Sequence, residues 1–407
     1  MDGSFNVAIE SNRTTSYGRI YVLAAGAFAV GTEGFMIAGI LPRVASNLHV
    51  SPATAGQLVT AFALSYALFS PILTALTGHL ARRTVLLWAM GAFAVMNVLA
   101  ALAPNFQMLL VARIGLAMAA GVFVPGANAL AGTLVPTERR GVAIAIVNAG
   151  LTISIALGVP IGTALASMSS WRATFVGVAV LATAAFGGLL AGLPSGIGAH
   201  LPVASLKERA RLARKPQVLL TLLGTTLWAT GSYVLYTYLS LFLGAATHVR
   251  GANIGYVLFA SGVAAGVGVI LGGRRVDRLG ARAVIVPALM VCAMSFVALS
   301  MFAHTLSPSM ALAPILAAII TWSVSHWGFY PGQQARLMGI AGLHLAPIAL
   351  SLNASFMYLG FSVGAAAGGL LVAYGSALDL GYLAAVFAMA SLILMSVISK
   401  PRANASP

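Results

Sequence analysis

Residues 30–39 read VGTEGFMIAG and place one carboxylate, Glu33, in the middle of the first long apolar run, 20–41. The chain has 7 acidic residues, and Glu33 alone lies deep inside an apolar run. An ionisable group at the depth of a bilayer costs about 2.5–3.5 kcal/mol on insertion scales. Because of this cost, ionisable residues inside membrane spans are rare and usually functional, so Glu33 is a candidate functional residue.

The composition of the chain excludes a soluble globular protein. Of the 407 residues, 60% are hydrophobic and 7% are charged, too few charges to give a soluble protein of this size a polar surface. A helical membrane protein fits, because lipid covers it and the 44 glycines favour close helix packing. The net charge of +15 comes from short separated loops, so we expect the lipid bilayer, and no nucleic acid, as a partner.

Twelve apolar runs are long enough to cross a bilayer as helices, which takes about 20 residues. Their length and their lack of alternation argue against β-strands. We predict an all-α polytopic membrane protein with twelve transmembrane helices in two six-helix pseudo-symmetric bundles. The runs are 20–41, 53–76, 84–103, 107–132, 140–164 and 172–193, then 217–243, 252–273, 282–303, 308–330, 345–373 and 379–398.

This pattern divides the chain into five segments. We expect a cytoplasmic N-terminal tail, an N-terminal bundle, a cytoplasmic central loop, a C-terminal bundle and a cytoplasmic tail, at 1–19, 20–193, 194–216, 217–398 and 399–407. The first segment has no apolar core or cleavage site, so we expect no cleaved signal peptide. Lys207–Lys215 in the central loop predicts a short basic surface helix, a tether lying against anionic headgroups.

The positions of arginine and lysine predict the orientation. Basic residues collect on cytoplasmic loops, and with a cytoplasmic N-terminus 18 of the 22 fall on that side. Three fall outside, namely Arg43, Arg172 and Arg250, and Arg113 lies inside a run. We expect both termini in the cytoplasm. The 18 are Arg13, Arg19, Arg82, Arg83, Arg139, Arg140, Lys207, Arg209, Arg211, Arg214, Lys215, Arg274, Arg275, Arg278, Arg282, Arg336, Lys400 and Arg402.

The two halves contain related motifs. Residues 145–150 read AIVNAG and are followed by GVPIG at 158–162. About half a chain later, 351–355 read SLNAS and are followed by GAAAG at 364–368. Parallel repeats of this kind build rocking transporters, in which the substrate site lies between the halves.

Several segments resemble motifs of the major facilitator superfamily. Residues 273–282, GRRVDRLGAR, are similar to its G-x-x-x-D-R-x-G-x-R loop, while the equivalent loop of the first half, 78–83, is shortened and lacks the Asp. Arg113 with Gly121 resembles the fourth-helix motif R-x-x-x-G. The matching loop positions are Gly273, Asp277, Arg278 and Gly280.

Two further segments resemble exporters within that superfamily. Residues 150–162 are similar to the fifth-helix "antiporter" motif, with Gly158, Pro160 and Gly162 in its tail. Residues 30–39, followed by Leu41-Pro42, resemble bacterial drug:proton antiporters of the arabinose, sugar and nucleoside efflux type.

The resemblance covers nearly the whole chain and implies an activity. It implies proton-coupled efflux of a small organic solute, such as a drug, sugar or nucleoside, by alternating access in a bacterial inner membrane. It implies no cofactor, and superfamily members commonly work as monomers. Two alternatives stay open: a proton symporter or facilitator for nutrient uptake, and a receptor or scaffold on a transporter fold.

Glu33 and Arg113 are predicted to lie at similar depths. Glu33 is 8 residues before Leu41 and Arg113 is 6 residues after Gln107, about 12 Å and about 9 Å from the outer side. They can interact directly, through water or through Asn97. We assign proton coupling to both, and Glu33 when deprotonated is also a candidate substrate contact. The alternatives are a carboxylate that fixes the first helix and an arginine that extends to the outer headgroups.

Two motifs are predicted to act on conformation. The glycines and proline of 158–162 have no reactive group, but they allow close packing and a kinked interface between the halves. Asp277 lies among Arg274, Arg275, Arg278 and Arg282, which predicts a latch that closes the inner side in one conformation and parts in the other. The alternative is a solvated loop that sets topology.

Polar and aromatic residues of the central runs are candidate substrate contacts. Tyr233 and Tyr236 share a helix face at i, i+3, and Tyr233 is near the repeat-related position of Glu33. His326, Asn353 and Tyr358 complete the set. The alternatives are packing or interfacial anchoring for the aromatic residues, a packing role for His326, and helix–helix binding for Asn353.

Enzyme signatures are missing from the sequence. It contains no HExxH, CxxC, Walker lysine loop or GxSxG, and its 7 histidines lack metal-ligand spacing. We therefore expect neither an enzyme nor a metal site, and the missing nucleotide motif excludes an ATP-driven pump in this chain.

Overall fold

The computed structural model describes residues 17–197 and 204–398. Residues 1–16 of the predicted N-terminal tail 1–19, residues 198–203 of the predicted central loop and the predicted C-terminal tail 399–407 lie outside the described residues, and with them Arg13, Lys400 and Arg402. Among the described residues, twelve helices are long and apolar enough to cross a membrane. This confirms the predicted fold class. These are α1 Tyr17–Asn47, α2 Pro52–Leu76, α3 Arg82–Leu102, α4 Phe106–Ala131, α5 Arg140–Met168, α6 Trp171–Gly192, α7 Pro216–Tyr236, α8 Asn253–Leu279, α9 Ala281–Thr305, α10 Pro308–Ala341, α11 Ala346–Tyr374 and α12 Ala377–Ile398.

The turns on one side of the bundle are short and capped. Ser51 and Asn105 accept hydrogen bonds from the free N–H groups of Thr54 and Met108 at the starts of α2 and α4, and Ser170 does the same at the start of α6. Such caps satisfy backbone donors that the helix leaves open. We call this side outer and the opposite side inner, as the positions of the basic residues predict.

Two helices differ most from the predicted runs. The run predicted to end at 330 continues as α10 to Ala341, because the helix passes through Pro331 and carries polar residues beyond it. The run predicted at 217–243 is discontinuous, because α7 ends at Tyr236 and Leu239–Ala246 forms a separate short outer helix. Hydropathy reports only the polarity of the side chains. It therefore does not detect that a helix continues through polar residues, or that the backbone of an apolar run is broken.

The two bundles meet along equivalent pairs of helices. α2 packs against α11, and α5 packs against α8, as expected when the second half repeats the first with α8 in place of α2 and α11 in place of α5. At the α5–α8 contact, a methyl group on Gly262 would lie 2.5 Å from the Ala156 Cα and 2.6 Å from the Ile155 carbonyl oxygen. The backbones of the two halves therefore touch there.

The outer ends of the halves are sealed by hydroxyl groups that donate to backbone carbonyls of the opposite half. Tyr236 donates to the Phe35 oxygen at 3.3 Å, and Ser240 of the short outer helix donates to the Ala38 oxygen at 2.9 Å. Ser362 on α11 donates to the α2 backbone at 3.1 Å. The described conformation is thus closed on its outer side.

The central loop contains a helix, Leu206–Ala213, close to the predicted position. Its start is a capping box in which Ser205 donates to Glu208, and these hydrogen bonds hold the pKa of the Glu208 carboxyl below its ordinary value. Lys207 and Arg211 are exposed, as the predicted headgroup contact requires.

The other face of this helix binds both halves. Arg209 is 8% exposed and donates to Ser351 on α11 at 2.6 Å and to Thr74 on α2 at 3.4 Å. Leu212 packs in an apolar cluster with residues of α7 such as Leu222. The helix is therefore anchored to protein through Arg209, in addition to any contact with lipid.

We expect Gly262→Ala to destabilise the protein by about 1–3 kcal/mol, since the methyl group collides with α5 backbone that has no side-chain freedom to move. Thermal unfolding in detergent measures this. Gly266→Ala is the matched control on the same helix, because its methyl group would meet only a Thr152 methyl at 3.9 Å. Equal melting temperatures for the two variants would show that the backbone contact is not tight.

Candidate functional site

Glu33 and Arg113 form a direct ion pair inside the N-terminal half. Both side chains are 0% exposed, and Arg113 Nη1 donates to Glu33 Oε1. Arg113 also donates to the Leu58 carbonyl oxygen at 3.3 Å and lies with its guanidinium carbon 4.3 Å from the Phe62 ring centroid. The contact is direct rather than through Asn97, whose amide donates to its own helix.

This pair is poorly suited to a purely stabilising role. Removing two charges from water costs several kcal/mol per ion, and the pairing offsets this only when the remaining polar atoms are satisfied. Here Glu33 Oε2 and Arg113 Nη2 are buried and have no hydrogen-bond partner among the described residues. Because these two atoms lack hydrogen-bond partners, a proton or a polar group of a ligand can bind at the ion pair.

The glycines of 31–39 bring α5 close to α1 beside the ion pair. Gly31 and Gly39 lie directly against the Ser154 and Thr163 hydroxyl groups of α5, so α1 and α5 approach closely. α5 is π-helical at Ser154–Gly158, and such a bulge commonly marks a functional position.

Gly158 and Gly162 lie one helical turn apart on α5 and contribute to the same contact with α1. Gly158 faces Thr32, and Gly162 lies against Met36, so both glycines pack α5 on α1 within the N-terminal half. Ile155 and Ala156 contact the other half at Gly262, so a direct part of these two glycines in the interface between the halves stays a prediction. Pro160 lies nearer the other half, since its carbonyl oxygen is 3.7 Å from the position that a methyl group on Gly255 would take.

A narrow cavity lies between the halves beside the ion pair. Its accessible volume is about 10 Å³, room for about one water molecule. It is bounded by Gly34, Phe35, Val59, Phe62, Ala63, Tyr233, Tyr358 and Phe361. Phe62 separates it from Arg113. Ligand sites for drug-sized molecules have volumes of about 300–1,000 Å³, so a solute enters only when the halves move apart.

The predicted tyrosines occupy different places around this cavity. Tyr358 stacks on Tyr66 at 3.7 Å between ring centroids and lies close enough to Glu33 and Arg113 to interact with both electrostatically. Tyr233 stacks on Phe361 at 3.7 Å and also lines the cavity. Tyr236 belongs to the outer seal. Sequence reasoning missed Tyr66, which carries no motif and lies on a helix that otherwise looks apolar.

His326 and Asn353 lie in the C-terminal half, away from the ion pair. His326 is 4% exposed, hydrogen-bonds with Ser232 at 2.6 Å and stacks on Trp228 at 4.1 Å, as expected for the packing alternative. Asn353 accepts a hydrogen bond from Thr225 at 2.7 Å, and Gln333 joins the same group. Gln333 was not predicted, because it lies beyond the expected end of its helix.

The latch motif lies at the inner end of α8. Asp277 is exposed and makes no ion pair with any described residue, and Gly280 ends the helix with a φ of +79°, a conformation that favours glycine. Gly273 and Arg278 flank the Asp on the same helical end. The latch contact is not made in this conformation, so the latch stays a prediction.

Metal ligation finds no support in the described ranges. Residues 17–197 and 204–398 contain no group of three or more His, Cys, Asp or Glu side chains that could hold a metal ion.

Comparison with known proteins identifies the family. The Major Facilitator Superfamily profile matches residues 23–365, and the chain belongs to this superfamily. It is 34% identical over 386 residues to the uncharacterized MFS-type transporter YbcL of Bacillus subtilis, covering 94% of this chain and 97% of that protein. It is 32% identical over 365 residues to the inner membrane transport protein YdhP of Escherichia coli K12, covering 89% and 90%.

Two further similarities bear on the fold and on the site. The chain is 31% identical over 388 residues to the chloramphenicol resistance protein of Streptomyces lividans, covering 93% of this chain and 94% of that protein. A crystal structure of a bacterial homolog of the human lysosomal transporter Spinster shares the fold with a TM-score of 0.76 at 18% identity, covering 93% and 96%. Together with the twelve apolar helices, the bacterial relatives indicate a multi-pass inner-membrane transporter.

The ion pair can be tested by removing one of its two charged partners. We expect Arg113→Met to destabilise the protein by about 3–5 kcal/mol, because it leaves the Glu33 carboxylate buried and unpaired. The double variant Glu33→Leu/Arg113→Met should recover most of this loss. Thermal unfolding of the two single variants and the double variant gives the coupling energy, and strictly additive effects would contradict the observed pair.

Proposed function

We propose that this protein is a secondary active transporter that exports a small organic solute in exchange for protons by alternating access. The observation that carries the proposal is the buried Glu33–Arg113 pair beside a cavity between the two halves. We further propose that it works as a monomer with both termini in the cytoplasm. Drugs, sugars and nucleosides are the solute classes to test.

The described conformation corresponds to the deprotonated state of Glu33. In an outward-open state, the carboxylate takes a proton from outside and its bond to Arg113 is released. The guanidinium then keeps its contacts with the Leu58 carbonyl and the Phe62 ring. When the outer side closes, Arg113 pairs again with Glu33 and the proton leaves to the cytoplasm. Each charge that crosses the membrane contributes about 2.3 kcal/mol per 100 mV.

α1 connects this proton site to the outer seal. Phe35 and Ala38, whose carbonyl oxygens accept the sealing hydrogen bonds, lie within two turns of Glu33 on the same helix. Gly34 and Phe35 also line the cavity. A change in the protonation of Glu33 therefore acts on a helix that touches both the solute cavity and the seal.

Two observations favour export over uptake. One is the chloramphenicol resistance protein among the relatives, since resistance to an internal antibiotic is commonly achieved by removing it. The other is the exporter-type motif in α5, in which Gly158 packs against Thr32, the residue before Glu33 on α1. The alternatives are proton symport or facilitated uptake on the same fold, and a receptor or scaffold.

Everted vesicles with an imposed pH gradient test the proposal. Chloramphenicol, arabinose and uridine are added in turn to acid-loaded vesicles that contain the protein. We expect one of them to discharge the gradient and to accumulate inside, because the solute and the proton exchange. We expect Glu33→Gln to reduce this exchange at least tenfold, since the amide cannot carry a proton.

Glu138→Gln is the matched control, because Glu138 is an exposed acid outside the spanning part of α5 and should leave exchange near the wild-type rate. Solute that moves in the same direction as the proton would establish symport instead. Full pH-driven exchange by the Glu33→Gln protein would refute the assignment of Glu33.

A further inference from the structure

The C-terminal half contains a buried chain of hydrogen bonds with a fixed direction. Gln333 Nε2 donates to the Thr221 carbonyl oxygen at 2.7 Å and to Thr225 Oγ1 at 2.8 Å, and the Thr225 hydroxyl donates to Asn353 Oδ1 at 2.7 Å. A carbonyl oxygen only accepts, so the contact with Thr221 fixes which end of the Gln333 amide carries the N–H groups. We call Thr225, Gln333 and Asn353 the amide cluster; each is 0% exposed.

Three polar atoms at this cluster are buried without a partner. The Gln333 carbonyl oxygen, the Asn353 amide nitrogen and the Trp228 indole N–H have no hydrogen-bond partner within residues 17–197 and 204–398. Trp228 is 1% exposed and lies one turn from Thr225 on α7. An acceptor and donors left open in a low-dielectric interior are costly, and they lie within about one helical turn of the Thr225–Gln333 contact.

Aromatic rings connect the amide cluster to the cavity between the halves. The Trp228 ring is nearly parallel to the Tyr330 ring, at 6.1 Å and 18°. Tyr330 is partly exposed and lies three residues before Gln333 on α10. It also lies near Tyr66 and Tyr358 at the cavity. These rings extend from the amide cluster towards the cavity and are closed off in this conformation, so a solute meets them only after the halves move apart.

The surroundings of the cluster offer no uncommitted counter-ion. The acidic residues of 217–398 are Asp277 and Asp379, both at helix ends, and Glu33 across the cavity is already paired with Arg113. Arg336, one turn from Gln333 on α10, already donates to the Ile398 carbonyl oxygen at 2.8 Å. A charged solute bound here would be desolvated without a free counter-ion, which costs far more than burying a neutral polar group.

We propose that the amide cluster and Trp228 bind an uncharged aromatic solute carrying hydroxyl or amide groups. A donor group of the solute bonds to the Gln333 carbonyl, an acceptor group takes the Trp228 N–H, and its ring stacks along Tyr330. This assignment rests on the proposed function in that the exported solute occupies the cavity. It adds the chemical class of that solute and separates its recognition in the C-terminal half from proton exchange at Glu33.

Equilibrium binding to the purified full-length protein tests this class. The uncharged probes are radiolabelled chloramphenicol and uridine, each with hydroxyl groups and an amide or imide, and the charged probe is the aromatic cation ethidium. We expect at least one uncharged probe to bind more tightly than ethidium. Failure of both to bind, or tighter binding of ethidium, would overturn the proposal.

Two substitutions then locate the site. Gln333→Met removes the amide at similar volume, and Trp228→Phe removes the indole N–H while keeping an aromatic ring. We expect each to raise the Kd of the bound probe about tenfold, the effect of one buried hydrogen bond. Gln217→Met on α7 and Trp88→Phe on α3, both at exposed positions, are the matched controls and should change the Kd less than twofold.

The outcomes separate this proposal from the proposed function. Melting temperatures identify any variant that fails to fold, and Trp228→Phe decides the question if Gln333→Met does so. An unchanged Kd in the folded variants would mean that water, rather than the solute, forms the hydrogen bonds with Gln333 and Trp228. That result would overturn the proposal. Glu33→Gln should retain binding; a wild-type protein that binds the probe but never exchanges it for protons would refute proton-coupled export alone.

Discussion

The burial of two opposite charges in the N-terminal half is the constraint on which the rest of the structure depends. Neither Glu33 nor Arg113 has access to water in this conformation, so each relies on the other, and on carbonyls and a ring, for the stabilisation that solvent would give. Arg113 of α4 donates to the Leu58 carbonyl of α2, and Phe62 of α2 covers the guanidinium on the cavity side. The pair thus ties α1, α4 and α2 together.

The C-terminal half solves a different problem. Its buried polar groups are amides, hydroxyls, indoles and the His326 imidazole, and Thr225, Gln333 and Asn353 among them form a directed chain rather than an ion pair. Neutral groups tolerate desolvation far better than ions, so under the proposed function this half would open to a solute and close again without a counter-ion. The bundles share one architecture, but one holds charge and the other holds hydrogen-bonding capacity.

Much of this arrangement follows from the sequence, and the remainder has identifiable causes. The spans follow from hydropathy, and the similar depths of Glu33 and Arg113 follow from counting residues along two helices. The facing of Gly158 towards α1 rather than the other half could not be predicted, because it depends on helix rotation. Gln333 was not predicted because it lies in the polar end of its helix. The break after Tyr236 was not predicted because the apolar run continues through it. These features are set by tertiary packing, which local patterns do not encode.

The outer seal has a property that follows from its chemistry. Tyr236, Ser240 and Ser362 all donate to main-chain oxygens, so no ionised group takes part in these bonds. Salt screens exposed charges but has little effect on such neutral contacts. A seal of this kind holds equally in dilute and in saline surroundings, and side-chain variation at its acceptor positions leaves the acceptors in place. The ionic strength around the protein can therefore vary widely without altering how tightly this conformation is closed.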